Sequence, residues 1–167
     1  MRQAGSSVNV AGATVRVYWG QMATASAVTH AQGIYAIRAG LAPGVYRVEA
    51  SAPGYVRQTK TDIPTADGQT AFVNFNLPVS GELKGQVTDR VSGASLIAAT
   101  VLARSVGIVW ATTWSTSPWG IYEISADLPP GTYVVQASRT GYLAQVKMDI
   151  VVTAGATTYV NFSLQPK

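Results

Sequence analysis

Leu41-Ala42-Pro43-Gly44-Val45-Tyr46-Arg47-Val48-Glu49-Ala50-Ser51 is written again as Leu128-Pro129-Pro130-Gly131-Thr132-Tyr133-Val134-Val135-Gln136-Ala137-Ser138. The same offset carries Gly33-Ile34-Tyr35 onto Gly120-Ile121-Tyr122, and Val73-Asn74-Phe75-Asn76-Leu77 onto Val160-Asn161-Phe162-Ser163-Leu164. Roughly half of the aligned positions in 33–77 and 120–164 are identical, so the 167 residues hold two copies of one small domain. We place the copies at 1–78 and 79–167, joined through Pro78-Val79-Ser80-Gly81.

Within the repeat, apolar residues alternate with polar ones. Tyr46, Val48 and Ala50 point one way, Arg47 and Glu49 the other, and copy two keeps the inner set as Tyr133, Val135 and Ala137. Val73, Phe75 and Leu77 alternate likewise with Asn74 and Asn76. A period of two marks strands with one face in a core and one in solvent. No segment has a helical period. The expected fold is all-β: two tandem seven-stranded Ig-like sandwiches, with copy-two strands near 82–88, 98–104, 108–116, 120–126, 132–138, 142–151 and 157–164. Turns are expected at Ser92-Gly93, Ser117-Pro118, Pro129-Pro130-Gly131, Thr140-Gly141 and Ala154-Gly155.

The alignment fails at the start. Ala99-Thr100-Val101 matches Ala13-Thr14-Val15, and upstream copy two has a strand from Gly81 to Asp89. Copy one has only Met1 to Ser7 there, without an alternating apolar pattern. Three readings stand open: the chain boundary cuts the strand short, a degenerate N-terminus pairs weakly, or another chain supplies the strand.

Composition narrows the function classes. Charged residues are 12% of the chain, about half the usual share. A neutral-polar surface of this kind opposes association weakly and suits extracellular proteins that pack on neighbours. The formal net charge is +4, but the bases lie singly along strands, so a nucleic-acid partner is not expected. The chain has no Cys, and no apolar run reaches the roughly 20 residues of a membrane span. Met1-Arg2-Gln3-Ala4-Gly5 is not a signal peptide, which suggests a processed or excised piece. One His, His30, and acids spread singly give no catalytic constellation and no metal or cofactor site. Asp62 and Asp149, paired by the repeat, read as structural residues, with Lys60 and Lys147 as ion-pair partners.

The pattern Gly85-x-Val87-Thr88-Asp89, Gly93, Ala99-Thr100-Val101, Gly120-x-Tyr122-x-Ile124, Leu128 to Gly131, Tyr133-x-Val135-x-Ala137-Ser138-x-x-Gly141-Tyr142 and Val160 to Leu164 resembles the carboxypeptidase regulatory-like domain. Copy one carries it from Ala13 onward. The resemblance implies a prealbumin-like sandwich, of the kind found as non-catalytic modules in secreted and surface-exposed proteins. Tyr46 to Tyr55 is also similar to the B-type repeats of Gram-positive adhesins, some of which carry a Lys–Asn isopeptide bond assisted by a buried acid. Glu49 matches that acid, but copy one brings no first-strand Lys. Copy two has Lys84 but Gln136 at the acid position, so neither copy holds the full set.

Trp110, Trp114 and Trp119 are the candidate contact residues. Aligned at the common offset, copy one has Ala23, Ala27 and Gln32, so the fold does not need aromatics there. Trp110 and Trp114 share a face of a regular strand. They either fill a core or an interface between the copies, or form a platform for a protein or a glycan. Trp19 alternates with Val15 and Val17 and is expected in the core. Ile34 and Ile121 point outward in both copies and read as packing residues between domains or subunits. The expectation is a non-catalytic extracellular or cell-surface structural and adhesive unit. Its expected partners are other copies of itself or neighbouring domains of a surface assembly, with a carbohydrate-binding accessory module as the alternative.

Overall fold

A computed structural model describes residues 1–38, 40–116 and 118–167. The described residues form strands and turns, and they contain no helix long and apolar enough to cross a membrane. Contacts divide the chain into Met1–Val79 and Ser80–Lys167.

Domain two is a sandwich of two sheets. One has the order β12-β11-β8-β9, made of β8 (Thr100–Ser105), β9 (Ile108–Trp114), β11 (Gly131–Ser138) and β12 (Gln145–Val152). The other is built on β7 (Glu82–Asp89). β7 pairs antiparallel with β10 (Ile121–Ile124) and parallel with β13 (Thr157–Tyr159) and β14 (Phe162–Leu164). Burial of β7 alternates along its whole length, with Leu83, Gly85, Val87 and Asp89 inward. Leu83 and Val87 meet Tyr122, Ile124, Tyr133, Val135 and Phe162 in one core. The strand expected at 157–164 is broken at Val160-Asn161, where the Asn161 side-chain oxygen accepts the Gln86 N–H at 2.9 Å. The strand expected from 142 starts at Gln145, because Leu143 donates to the Gln165 carbonyl instead. The turn expected at Ser117-Pro118 falls in part on Ser117, outside the described residues.

Domain one repeats the first of these sheets as β3-β2-β4-β5: β2 (Thr14–Trp19), β3 (Met22–Val28), β4 (Gly44–Ser51) and β5 (Gln58–Thr65). Among the described residues, its counterpart of the second sheet is β1 (Arg2–Gln3), parallel to β6 (Asn76–Leu77).

Local devices recur in both domains. Thr29 Oγ1 accepts the Ala13 N–H and donates to the Val10 carbonyl, and Ser115 Oγ does the same for Ala99 and Leu96. Tyr46 and Tyr133 donate to the carbonyls of Ala42 and Pro129, four residues back. Asp62 and Asp149 sit at φ 58° and 55° where the β4–β5 and β11–β12 registers slip, a conformation Asp tolerates better than most residues. They are bulge residues. Lys60 and Lys147 stand 5.7 Å from the ring centroids of Phe75 and Phe162, a placement that differs from the expected ion pair with Asp.

Candidate interaction surfaces

The pairing registers fix how the copies correspond. Arg2 and Gln3 oppose Asn76 and Leu77, as Thr88 and Asp89 oppose Ser163 and Leu164. Met1, Arg2 and Gln3 therefore stand where Val87, Thr88 and Asp89 stand in domain two. The polar partner follows: Tyr142 donates to Asp89 at 2.8 Å, and Tyr55 reaches Gln3 at 3.5 Å.

In this register Glu82 to Gln86 align ahead of Met1. The segments that flank β7 in domain two, β10 and β13, correspond to residues 34–37 and 70–72, which are not in strands. A cleft of about 790 Å³ runs there, lined by Met1, Tyr35, Ile37, Leu41, Val73 and Asn74 among others. Four core residues register the difference. Tyr122, Ile124, Leu128 and Val160 are buried, whereas Tyr35, Ile37, Leu41 and Val73 are half-buried. The hydroxyl bond is kept: Tyr35 donates to the Val73 carbonyl at 2.6 Å, as Tyr122 does to Val160 at 2.5 Å. Burial raises the pKa of both phenols, so both remain donors.

A second surface lies on β9. The strand ends its sheet, and Ile108-Val109-Trp110-Ala111-Thr112-Thr113-Trp114 carries no charge and no Pro. The opposite edge, β12, carries Lys147 and the bulge at Asp149, two devices that discourage edge pairing. Trp110 and Trp114 point outward with Thr112, 44% and 61% exposed, and Trp119 is 64% exposed. They lie outside the core. At about 3.3 Å per residue, Trp110 and Trp114 are roughly 13 Å apart.

The registers also correct the alignment. Thr14 opposes Val28 as Thr100 opposes Trp114, and a bulge next to Ala25 matches the one that leaves Trp110 unpaired. The equivalents of Trp110 and Trp114 are therefore Thr24 and Val28, and the extra residue of copy two falls after Ser115. Ile34 and Ile121 are both exposed, and Ile34 borders the cleft. Trp19 is not in the core. It is half exposed at the end of β2, its ring edge-on to Tyr46 at 5.1 Å and lying across Gly44. His30 is exposed, with Nδ1 accepting the Gln32 N–H at 3.4 Å.

Two features first read from the adhesin-like pattern take definite places. Glu49 is buried beneath Arg47 and Arg57, at 3.7 and 3.6 Å. Lys84 is bridged to Glu82 and Glu123 at 2.9 and 3.5 Å.

The family model for the carboxypeptidase regulatory-like domain matches twice, over residues 2–78 and 82–165. The chain belongs to the carboxypeptidase regulatory-like domain family. The first match of this family begins at Arg2, so it includes the short β1. Among solved structures, the chain is similar to the TIE protein of Bacillus anthracis, with 20% identity over 99% of this chain and 33% of that one, TM-score 0.44. It is similar to a putative carbohydrate binding protein from Bacteroides uniformis, with 19% identity over 51% of this chain and 41% of that one, TM-score 0.42. It is also similar to the shaft pilin SpaA from Lactobacillus rhamnosus GG, with 13% identity over 95% of this chain and 88% of that one, TM-score 0.39. The chain spans about a third of the first of these proteins and 41% of the second. No curated protein matches it.

Proposed function

We propose that this chain is a non-catalytic, extracellular or cell-surface structural module that self-associates. In this reading, domain one accepts a strand from a neighbouring polypeptide of the same assembly. The supporting observation is the quartet Tyr35, Ile37, Leu41 and Val73, left half-buried beside the cleft while its counterparts in domain two are covered by β7. Two backbone segments that would each gain a ladder, and apolar side chains that would each lose water, favour β-strand addition. The weakly charged surface adds little repulsion to such an assembly. Light scattering over a concentration series tests it: mass should rise with concentration, and a monomer at every concentration refutes self-association.

A second reading rests on one separate observation, the exposure of Trp110, Trp114 and Trp119. Exposed indoles can stack on sugar rings, which would make the module a carbohydrate-binding accessory. Quenching of tryptophan fluorescence by a polysaccharide, lost in Trp110→Ala/Trp114→Ala, supports this reading. A flat titration across a glycan panel removes it.

A further inference from the structure

We propose that β9 of domain two is a dimerisation edge, pairing antiparallel with β9 of a second copy about a two-fold axis at Thr112. This rests on the self-association proposed above, but it uses a different surface from the cleft of domain one.

The backbone calls for a strand as the occupant. Among the described residues β9 pairs only with β8. Ser115 donates its N–H to the Ala99 carbonyl, and Thr113 and Ala111 oppose Val101 and Ala103 further along the same ladder. Hydrogen-bonded pairs alternate in an antiparallel ladder, so Ala111 and Thr113 direct their N–H and C=O toward β8, and Thr112 and Trp114 turn theirs outward. Trp110, the extra residue of the bulge, has no partner in that ladder. Three residues therefore offer N–H and C=O groups along one edge, a row that another strand satisfies and a sugar ring or a lipid does not.

The side chains call for this strand's own copy. Ile108 to Trp114 carry no charge, so an identical strand brings no like charges together across the axis. Trp110 and Trp114 stand two residues to either side of Thr112, on the same outward face. Turning the strand about Thr112 sets Trp110 opposite Trp114 of the second copy, and Trp114 opposite its Trp110. No other register opposes both indoles to indoles. The axis stands perpendicular to the sheet, so the four rings share one face.

The remaining edges lack this complementarity. β12 carries Lys147 and the Asp149 bulge, and β5 carries Lys60, Asp62 and Pro64. β3, the equivalent of β9 in domain one, is also uncharged, but it places Thr24 and Val28 where β9 has its indoles. The bulge of β9 does not protect it as Asp149 protects β12, since Trp110 is uncharged and is not at positive φ. One strand edge with two indoles per copy covers less than the roughly 800 Å² per partner of a standard interface, so the dimer is weak and forms as concentration rises.

Sedimentation equilibrium of the full chain, with hydrogen exchange, tests this. The parent should pass from monomer to dimer, and the amides of Trp110, Thr112 and Trp114 should gain protection. Thr112→Lys sets two ammonium groups facing each other at the axis and should weaken dimerisation at least about tenfold. Trp110→Ala/Trp114→Ala removes two cross-strand aromatic pairs and should weaken it roughly 2- to 30-fold. The chain has no Cys, so a single introduced one reports on one place. Thr112→Cys should cross-link two copies under mild oxidation, because residues opposed in a hydrogen-bonded pair have Cα atoms about 5.5 Å apart, within disulfide reach. Ile108→Cys, roughly 26 Å from its own counterpart in this register, should not. Ser26→Cys, at the same point of β3, should not either. Cross-linking through Ser26→Cys in place of Thr112→Cys overturns the choice of β9, and equal cross-linking through Ile108→Cys overturns the register. Association unchanged by Thr112→Lys, with protection in residues 34–37 and 70–72 and none in β9, overturns the β9 dimer and leaves the cleft reading intact. Association lost in Thr112→Lys, with protection in β9 and none in residues 34–37, supports the dimer and removes the cleft reading. A chain that stays monomeric at every concentration overturns both.

Discussion

Gly85→Ala is the most informative single substitution in domain two. Gly85 is not at positive φ, so backbone conformation is not at issue, and the cost is steric. The added methyl would overlap the Val160 carbonyl oxygen and crowd the Tyr122 ring, a backbone group and a fully buried side chain that cannot move aside freely. Overpacking of this kind costs about 1–3 kcal/mol. Pushing strand and carbonyl apart also breaks the bond from Tyr122 to Val160, and a buried polar pair left unmade costs about 1–3 kcal/mol more. Alanine recovers about 0.5–1 kcal/mol through its lower backbone entropy. The net loss is about 1–5 kcal/mol, which for a domain of this size lowers the unfolding midpoint by at least about 4 °C. Calorimetry is the assay, and only the unfolding of domain two should move. Hydrogen exchange should quicken along Leu83–Val87 and at Val160. A midpoint within about 3 °C of the parent refutes the reasoning, since the strand would then have no need to be bare over Tyr122.

Other consequences are local. Ser115→Ala leaves the Ala99 N–H without its side-chain acceptor in a buried corner and should cost domain two about 1–3 kcal/mol by denaturant unfolding. Thr29→Ala should do the same to domain one. The amides of Ser92 and Val91 and the Tyr142 hydroxyl hold the Asp89 carboxyl below its ordinary pKa, the Ser92 amide contributing most. Because the folded value lies below the unfolded one, this contribution is complete above the ordinary value of about 3.9 and fades as pH falls through the folded value. The stability difference between the parent and Asp89→Asn should therefore narrow below about pH 4 in domain two. Domain one, with Gln3 at that place, should have no counterpart of this acid-dependent gap. Trp110→Ala/Trp114→Ala should leave unfolding of domain two within about 0.5 kcal/mol of the parent while weakening any contact made through β9.

The period of the repeat, the inward sets of β4, β11 and β14, and the all-β class were readable because they rest on strict alternation. Trp19 was misplaced because alternation says which face a residue takes, not where the core stops. At the end of β2 the ring has Tyr46 beneath it and solvent above. The equivalents of Trp110 and Trp114 were shifted by one residue because the sequence does not locate an insertion among turn residues, whereas strand registers do. Asp62 and Asp149 were legible as structural, but their left-handed bulge was not, since an Asp in a strand reads the same with or without one. The incomplete edge of domain one was visible as a gap in the alignment. Its chemistry was hidden: that Gly85 must be bare follows only when the Tyr122 hydroxyl is seen to reach Val160 beneath the strand.

Hydrogen exchange on the self-associated chain, compared with the same chain diluted, tests the strand-accepting cleft most directly. The account predicts that amides in residues 34–37 and 70–72 become protected on association, while those of their covered counterparts in β10 and β13 stay unchanged. Association with no gain of protection in residues 34–37 and 70–72 would contradict it.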